Sequence, residues 1–481
     1  MTQADDAAPA AFCTPEWVKH AVFYQIFPER FANGDPTNDP SNAQPWGSPP
    51  TPYNFMGGDL QGIIEQLDYL QQLGVTALYL TPIFQSTSNH KYNTYDYFRI
   101  DPRFGSLETF QRLTAELHRR GMRLILDGVF NHCGRGLFQF HDVVENGAAS
   151  PYVGWFHIER FPIHPYDLHQ PANYRTWWDV RSLPKFNTDN PEVRRFLLSI
   201  ARYWIEQGAD GWRLDVPNEI ADHNFWREFR QVVKEANPEA YIVGEIWHDG
   251  TPWLGGDQFD AVMNYLFRDL CVDFFARCSI NAAVFGEAID RLLGLYQPEV
   301  TYSLLNLLGS HDTARFLTVA GGDGAGIKLA ITFLMTYPGA PCIYYGDEIG
   351  MQGEADPGCR GAFPWNEEQW NVDLLEHTRR MIGLRRGHEA LRTGHFRSLL
   401  ADGSANVYAF ARWNERQRFV VAINNSDALQ FVSVPLPHEI LLGLRELHMV
   451  EDQSIYPVYN GRIEGLRLPP RSAAVLSGAV A

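Results

Sequence analysis

Hydrophobic and polar positions follow two alternating patterns from about residue 20 to residue 387. Short apolar runs of the kind that form buried strands are separated by stretches in which apolar residues recur with helical spacing. The strand-like runs cover residues 21–27, 77–80, 123–129, 211–215, 240–245 and 341–344. The helical stretches include residues 60–73, 107–120, 191–207 and 224–236. This alternation predicts an α/β fold of parallel strands joined by helices.

Two regions depart from this pattern. Residues 131–187 are rich in Pro, Gly, His and aromatic residues and are too long for an ordinary loop, so they predict an inserted subdomain. After residue 387 the pattern changes to strand alternation, at residues 407–413, 419–423 and 431–434. We therefore expect three units, with these bounds: a catalytic unit at 14–131 and 188–387, an inserted subdomain at 132–187, and a C-terminal antiparallel β domain at 388–481.

The net charge and the aromatic content of the chain indicate which kinds of ligand it can bind. The chain has 481 residues and a formal net charge of −17 at pH 7. This charge disfavours nucleic acid and anionic membranes, which bind basic faces, and it is compatible with a neutral substrate or a bound cation. The aromatic share of 13% is high. Aromatic faces suit sugar rings, although most aromatic residues fill cores.

The sequence predicts a cytoplasmic protein. Its six cysteines form no CxxC motif, and six in a chain of this length do not indicate a disulfide framework. The N-terminal segment MTQADDAAPAAF is acidic where a signal peptide has a basic region and an apolar run. No apolar stretch reaches the ~18 residues that a transmembrane helix needs.

In four segments, a carboxylate or an imidazole lies just after an apolar, strand-like run. The segments are DGVFNH at 127–132, GWRLDVPNE at 211–219, GEIWH at 244–248 and LGSHDT at 308–313. The carboxyl ends of parallel strands meet at the mouth of a barrel or along the crevice of an open sheet, and both architectures remain open at this point. A single Asp there is usually a helix cap or a turn residue. Together, three carboxylates, an Arg and two His residues predict a catalytic cluster, and the Arg argues against a metal site.

These four segments resemble the four signature regions of the α-amylase family (glycoside hydrolase family 13). The segment LPKFN at 183–187 resembles the fifth region of that family, and the likeness extends from about residue 22 to 387. The resemblance implies a (β/α)8 TIM barrel with a subdomain inserted after strand 3 and a C-terminal antiparallel β-sandwich. It also implies a retaining hydrolase of α-1,4-glucosidic bonds.

The resemblance assigns three carboxylates to catalysis. Asp215 is expected to attack the anomeric carbon, and Glu245 to act as general acid/base about 5 Å away, as in retaining glycosidases. Asp312 is expected to bind sugar hydroxyls more strongly in the transition state than in the ground state. Arg213 lies on the same strand face as Asp215 and is expected to lower its pKa. Burial or neighbouring carboxylates are expected to raise the pKa of Glu245.

The resemblance also implies which residues bind sugar. The expected set is His90, Tyr92, Asp127, His132, Arg213, Glu219, Trp247 and His311. Tyr92 is expected to stack on the sugar at the cleavage point. Glu219 has two open interpretations, a ligand of a sugar hydroxyl or water and a carboxylate at a helix start. Further stacking candidates are Phe186, Trp253 and Trp212, and a core position is favoured for Trp212.

Three segments resemble the subgroup of cyclomaltodextrinases, neopullulanases and maltogenic amylases: residues 26–36, 89–92 and 217–219. That subgroup usually carries an N-terminal β domain that helps to form a dimer. Here the barrel is expected to begin near residue 20, which leaves a homodimer open. A cluster matches a structural calcium site of the subgroup, and an Asx-rich turn is the alternative; its residues are Asn33, Asp35, Asn38, Asp39, Gly57 and Asp59. No organic cofactor is expected.

The expected activity is hydrolysis of cyclodextrins, pullulan or maltooligosaccharides through a covalent glycosyl-enzyme intermediate. A transglycosylase or isomerase of α-glucans, such as a trehalose-forming enzyme, would use the same scaffold and differ only in what accepts the intermediate. A catalytically inactive sugar-binding protein is the alternative from another class. The presence of Asp215, Glu245 and Asp312 argues against this last interpretation.

Overall fold

The computed structural model describes residues 12–479. Eight parallel strands close into a barrel in the order β1–β8; they are Phe23–Ile26 (β1), Ala77–Leu80 (β2), Arg123–Gly128 (β3), Gly211–Leu214 (β4), Tyr241–Gly244 (β5), Ala261–Asn264 (β6), Leu305–Leu307 (β7) and Ala340–Tyr344 (β8). Every residue of these strands is buried except Arg123. The predicted TIM barrel is confirmed.

Helices cover the outside of the barrel. The longer ones are Leu107–Arg119, Pro191–Glu206, His223–Ala236, Ala282–Leu293, Gly324–Thr336 and Val372–Gly387. The prediction of one helix over 60–73 was wrong in detail, because Leu60–Glu65 and Leu67–Leu73 are separate helices. They meet at Gln66, whose backbone lies at φ −98° and ψ 8°. Asp59 caps the first helix by accepting a hydrogen bond from the Gly62 amide.

Two barrel strands, β6 and β7, are absent from the sequence-based prediction. They have only four and three residues and each contains an Asn, so neither forms a long apolar run. The two side chains share one hydrogen bond, in which Nδ2 of Asn264 donates to Oδ1 of Asn306 at 2.8 Å, and their other polar atoms bond to backbone groups of Phe267 and Pro338. A polar residue in these strands is tolerated because its partner lies on the adjacent strand.

The chain between β3 and β4 forms a wall beside the mouth of the barrel. It contains the helix Phe138–Asn146 and packs an aromatic core in which Phe140 contacts Phe156 and Tyr174. Isolated bridges tie its start to its end, including His132 to Lys185. A hairpin of Phe84–Ser86 and Thr94–Ile100 lies after β2.

The C-terminal unit is antiparallel, as predicted. Its eight strands are His395–Asp402 (β9), Val407–Trp413 (β10), Gln417–Asn424 (β11), Gln430–Pro435 (β12), Glu446–Met449 (β13), Ile455–Tyr459 (β14), Arg462–Leu468 (β15) and Ser472–Ala479 (β16). They pair in the order β9-β10-β11-β16-β13-β14-β15-β12. Both halves of this order contribute side chains to one apolar core, including Val420 and Ile463.

The sequence predicts neither a transmembrane helix nor a disulfide framework. Within residues 12–479, no helix combines the length and apolar character needed to cross a bilayer. The six cysteines are all unpaired. The sequence also predicts that residues 1–12 are not a signal peptide. Residues 1–11 of that segment lie outside the described residues.

Candidate active site

The carboxyl ends of β3, β4, β5 and β7 bring the predicted residues together. Asp127 is in β3, Asp215 and Glu245 directly follow β4 and β5, and Asp312 lies in the segment after β7. At this end of the barrel Asp127, Asp215 and Glu245 are buried, and Asp312 is partly exposed. Because neighbouring parallel strands end at one rim, residues distant in sequence meet there.

Arg213 lies at the centre of this group and is fully buried. Its Nη1 is 2.8 Å from Oδ1 of Asp127 and 3.0 Å from Oδ1 of Asp215. Its Nη2 is 3.0 Å from Oε2 of Glu245. One guanidinium therefore holds both predicted catalytic carboxylates, which fixes their positions relative to each other.

Besides this ion pair, Glu245 accepts hydrogen bonds from two donors. The backbone amide of Val216 donates to its Oε2 at 3.0 Å, and the indole N–H of Trp247 donates to its Oε1 at 3.0 Å. Val216 has φ 36° and ψ 51°, a left-handed conformation that is costly for a β-branched residue. The strained backbone after Asp215 thus directs an amide at the second carboxylate.

Asp127 and His311 belong to a hydrogen-bonded network beneath the cavity. Tyr79 and Tyr92 donate to Oδ2 of Asp127 at 2.7 and 2.8 Å. The Tyr92 hydroxyl also lies 2.5 Å from Nε2 of His311. Nε2 of Gln25 lies 2.7 Å from Nδ1 of His311, and since the amide nitrogen donates, the imidazole proton is on Nε2. Sequence analysis missed Gln25 and Tyr79, which sit inside apolar strand-like runs.

Asp312 is held from two sides. Its Oδ2 lies 3.2 Å from Nε2 of His311, and its Oδ1 accepts from Nη2 of Arg360 at 3.3 Å. Nη1 of Arg360 also pairs with Asp356 at 2.9 Å. Arg360 was missed by the sequence analysis, because it lies in an irregular segment well after β8 with no apolar run to place it.

Burial raises the pKa of each of the four carboxyl groups. Arg213 opposes this effect at Asp215 and Glu245, and neighbouring carboxylates add to it. The expectation of a raised pKa for Glu245 agrees with this direction. Arg213 lowers the pKa of Asp215, as expected. Burial and the charges of neighbouring carboxylates raise that pKa by more, so its net direction is upward.

The histidines at the site are neutral. Burial lowers the pKa of His90 and of His132 to about 3 and that of His311 well below its ordinary value. Nδ1 of His132 faces Nδ2 of Asn131 at 3.2 Å, while its Nε2 has no hydrogen-bond partner among the described residues. A neutral imidazole with a free nitrogen suits a hydroxyl ligand.

A cavity of about 710 Å³ opens above these groups. Eight predicted residues line it: His90, Tyr92, His132, Asp215, Glu219, Glu245, Trp247 and Asp312. Glu219 pairs with Lys185 at 3.3 Å. Trp247 is 43% exposed and stacks on Tyr265 with ring centroids 3.7 Å apart.

The other stacking candidates do not reach the cavity. Phe186 and Trp253 are buried and absent from its lining, so their prediction as sugar platforms was wrong. Trp212 is fully buried, in the core position that was favoured for it. Trp177 and Trp178 line the cavity instead and were missed, because they lie in the irregular inserted subdomain.

The predicted calcium ligands lie together, in the segment after β1 and at the start of the helix that begins at Leu60. Asn33 donates to both oxygens of Asp39, at 2.9 and 3.0 Å, and Asn38 donates to Asp59 at 2.8 Å. Asp59 also accepts from the Gly34 and Asp35 amides. Oδ1 of Asn33 and Oδ1 of Asn38 are buried without a hydrogen-bond partner among the described residues.

Gly57 lies against this cluster at φ 85°, where a Cβ atom would come within 2.1 Å of Oδ1 of Asp39. Within residues 12–479, no group of three or more His, Cys, Asp and Glu side chains could hold a metal. This cluster differs from such a group because it combines the amide oxygens of Asn33 and Asn38 with the carboxylate of Asp39, and oxygen is the donor type that Ca²⁺ prefers. Two unpartnered buried amide oxygens fit such an ion.

Comparison with known proteins agrees with this architecture. The catalytic domain of α-amylases matches residues 25–393. A cyclomaltodextrinase from Geobacillus thermopakistaniensis (strain MAS1) is 52% identical over 428 residues, covering 89% of this chain and 72% of that protein. Neopullulanase 2 from Thermoactinomyces vulgaris is 53% identical over 429 residues, covering 89% and 73%.

A solved structure is similar over its whole length. The ligand-free cyclic α-maltosyl-(1→6)-maltose hydrolase from Arthrobacter globiformis superposes with a TM-score of 0.88 at 46% identity, covering 97% of this chain and 100% of that chain. The match to the catalytic domain spans more than half of the present chain and includes Arg213, the three carboxylates that it contacts, and Asp312. The chain therefore belongs to the α-amylase family of glycoside hydrolases.

Proposed function

We propose that the protein is a retaining hydrolase that cleaves α-1,4-glucosidic bonds through a covalent glycosyl-enzyme intermediate. The observation that supports this most strongly is the position of Arg213, whose two terminal nitrogens each lie 3.0 Å from one carboxylate of the pair Asp215 and Glu245. Both carboxylates line the same cavity. Two carboxyl groups that contact the two terminal nitrogens of one guanidinium support the retaining arrangement, in which one attacks and the other transfers a proton.

The pair must share one proton before the reaction. Three buried carboxyl groups contact Arg213, and the partly exposed Asp312 pairs with Arg360, so full ionisation would leave an excess of negative charge around two arginines. As the glycosidic bond breaks, positive charge develops on the anomeric carbon and favours the ionised form of Asp215. Asp215 must be ionised to attack the anomeric carbon, so the shared proton is on Glu245 before the bond breaks. Glu245 delivers this proton to the leaving oxygen as Asp215 bonds to the anomeric carbon.

We propose cyclodextrins, pullulan or maltooligosaccharides as substrates. The similarity to a cyclomaltodextrinase and to neopullulanase 2 supports this class. The cavity contributes neutral imidazoles and exposed indoles, including Trp247, which suit uncharged sugars. Its carboxylates disfavour anionic ligands.

The proposed activity is tested by initial rates on β-cyclodextrin, pullulan, starch and maltotriose, measured side by side. We expect hydrolysis of at least one of the first two at a higher kcat/KM than of starch. Proton NMR of the first product should show the α-anomer, because two inversions retain configuration. A β-anomer would contradict the mechanism. Products longer than the substrate, or trehalose, would indicate transfer or isomerisation, and no turnover would leave a sugar-binding protein.

We propose further that the cluster around Asn33 and Asp39 binds a structural Ca²⁺. The two unpartnered amide oxygens and the carboxylate of Asp39 would be its ligands, with Gly57 leaving the space that a side chain would fill. The ion would neutralise Asp39 and the buried Asp59, whose pKa is raised by burial. It would join the segment after β1 to the helix that begins at Leu60 and would take no part in bond cleavage.

Removal of calcium is expected to lower the thermal stability. Chelation by EDTA should reduce the Tm by roughly 3 °C or more, since an ion at 100-fold excess over its Kd contributes about 2.7 kcal/mol. Added Ca²⁺ should restore the Tm, whereas Mg²⁺, which prefers a tighter octahedral site, should not. Asp39→Asn should remove the response to Ca²⁺. A wild-type Tm that is the same with EDTA and with Ca²⁺ would contradict the proposal.

We also propose a cytoplasmic location, which the six unpaired cysteines support. The homodimer remains a prediction, and sedimentation equilibrium measures it directly.

A further inference from the structure

Trp178 has a costly backbone conformation in an exposed position. It lies at φ 46° and ψ 42°, and the next residue, Asp179, lies at φ 59°. Among the described residues, this is the one place where two consecutive non-glycine residues have positive φ. Left-handed geometry costs an L-residue roughly 1–2 kcal/mol, and such strain is retained mainly at functional sites.

This conformation places the indole at the end of a stack of three rings. The Trp178 ring lies parallel to that of Trp177, with centroids 5.0 Å apart and an interplanar angle of 11°. Trp177 in turn stacks on His132 at 5.5 Å and 26°. His132 is buried and Trp178 is 74% exposed, so the stack leads from the cavity floor to solvent.

The outer face of Trp178 is free for a ligand. One face lies on Trp177, and both tryptophans line the cavity that contains Asp215 and Glu245. An indole held flat on another indole is a rigid apolar surface, and ordering it costs little entropy when a ligand binds. A pyranose ring has an apolar face of C–H groups that can cover such a surface.

We propose that Trp178 is a specificity-determining residue that stacks on a glucose unit outside the one held by His132. The inference rests on the proposed function, because it concerns a subsite of that cavity. A short substrate such as maltotriose fills the positions around the carboxylates and makes little use of Trp178. A ring or a longer chain of α-linked glucose reaches it, so Trp178 favours these substrates.

The test compares kcat/KM on β-cyclodextrin and on maltotriose for Trp178→Ala, Trp178→Phe and Trp178→Gly. In Trp178→Ala the ratio of the two constants is expected to fall about tenfold, mainly through a higher KM on β-cyclodextrin. Trp178→Phe should recover most of the ratio, because it keeps a flat aromatic face. Phe431→Ala, which removes another exposed aromatic ring in the C-terminal unit, should leave the ratio unchanged.

Trp178→Gly separates strain from binding. Glycine tolerates φ 46°, so this variant is expected to have a higher Tm than Trp178→Ala while showing the same fall in the ratio. A ratio that stays within twofold of wild type in both variants would overturn the proposal. The proposal would also be overturned if the ratio fell in Trp178→Ala but returned to the wild-type value in Trp178→Gly, because backbone strain would then be the cause.

A binding measurement keeps the inference separate from the activity. In an Asp215→Asn background, calorimetry should show a Kd for β-cyclodextrin about tenfold higher with Trp178→Ala than without it. If the wild type cleaves none of the substrates, the proposed function fails and this comparison still decides the role of Trp178. An equal Kd in the two proteins, or no binding of β-cyclodextrin in either, would overturn the role.

Discussion

Replacement of Asp215 by Asn is expected to lower kcat by about 10⁴-fold or more on any substrate, because the amide cannot form the glycosyl ester. The fold should survive the change. Burial raises the pKa of Asp215, so its charged form is costly in the folded protein, and the loss of one bond to Arg213 is offset by the loss of that cost. We expect a Tm within a few degrees of wild type, measured by differential scanning calorimetry.

Glu245→Gln provides the matched control. It also lowers kcat on natural glucans, but an α-maltosyl fluoride needs no proton on its leaving group and should still be turned over to the intermediate. Asp215→Asn should be inactive on the fluoride as well. If Asp215→Asn retained turnover of the fluoride while Glu245→Gln lost it, the two roles would be reversed.

Replacement of Arg213 by Met is expected to cost about 3–5 kcal/mol in the free energy of unfolding. The substitution keeps a similar length but leaves Asp127, Asp215 and Glu245 buried without their shared cation. The kcat should also fall, because the pair loses its positioning contact. Chemical denaturation followed by tryptophan fluorescence measures the stability, and a loss below about 1 kcal/mol would contradict the central role of Arg213.

The stability cost should depend on pH in a defined direction. A carboxyl whose pKa is higher in the folded protein stabilises the fold at low pH. This contribution is lost as the pH rises from the ordinary values of 3.8 for Asp and 4.5 for Glu through the folded-state pKa. Removal of Arg213 raises these pKa values further. The deficit of the variant should thus be larger near neutral pH than at about pH 5.

Arg315→Met is the control for this experiment. Arg315 is also buried and pairs with one carboxylate, Asp347, at 2.7 Å, but it contacts neither Asp215 nor Glu245. We expect a loss of stability from it with a much smaller effect on kcat. A kcat that falls equally in both variants would show that Arg213 acts only through the fold.

The barrel and the catalytic carboxylates could be predicted from the sequence for a physical reason. Six barrel strands are short and mainly apolar runs, and Asp215 and Glu245 directly follow two of them. Because all parallel strands of a barrel end at the same rim, a residue that directly follows a strand can be placed at the site from the sequence alone. The strands β6 and β7 were missed because Asn264 and Asn306 interrupt runs that are already short.

The residues that support the site from other segments could not be predicted in this way. Gln25 fixes the tautomer of His311 across the barrel, and Arg360 reaches Asp312 from a segment with no regular pattern. Trp178 depends on a left-handed backbone that no local sequence rule indicates. The direction in which the pKa of Asp215 shifts could not be predicted from the sequence either, because it depends on how deeply the carboxylates are buried.

The covalent intermediate is the central claim, and trapping it is the most direct test. Glu245→Gln is incubated with a 5-fluoro-α-glycosyl fluoride, which forms the ester quickly and lets it hydrolyse slowly, and the protein is digested and analysed by mass spectrometry. The account predicts one added glycosyl group, on the peptide that contains Asp215 and on that side chain. A label on another residue, or none while the fluoride is consumed, would contradict it.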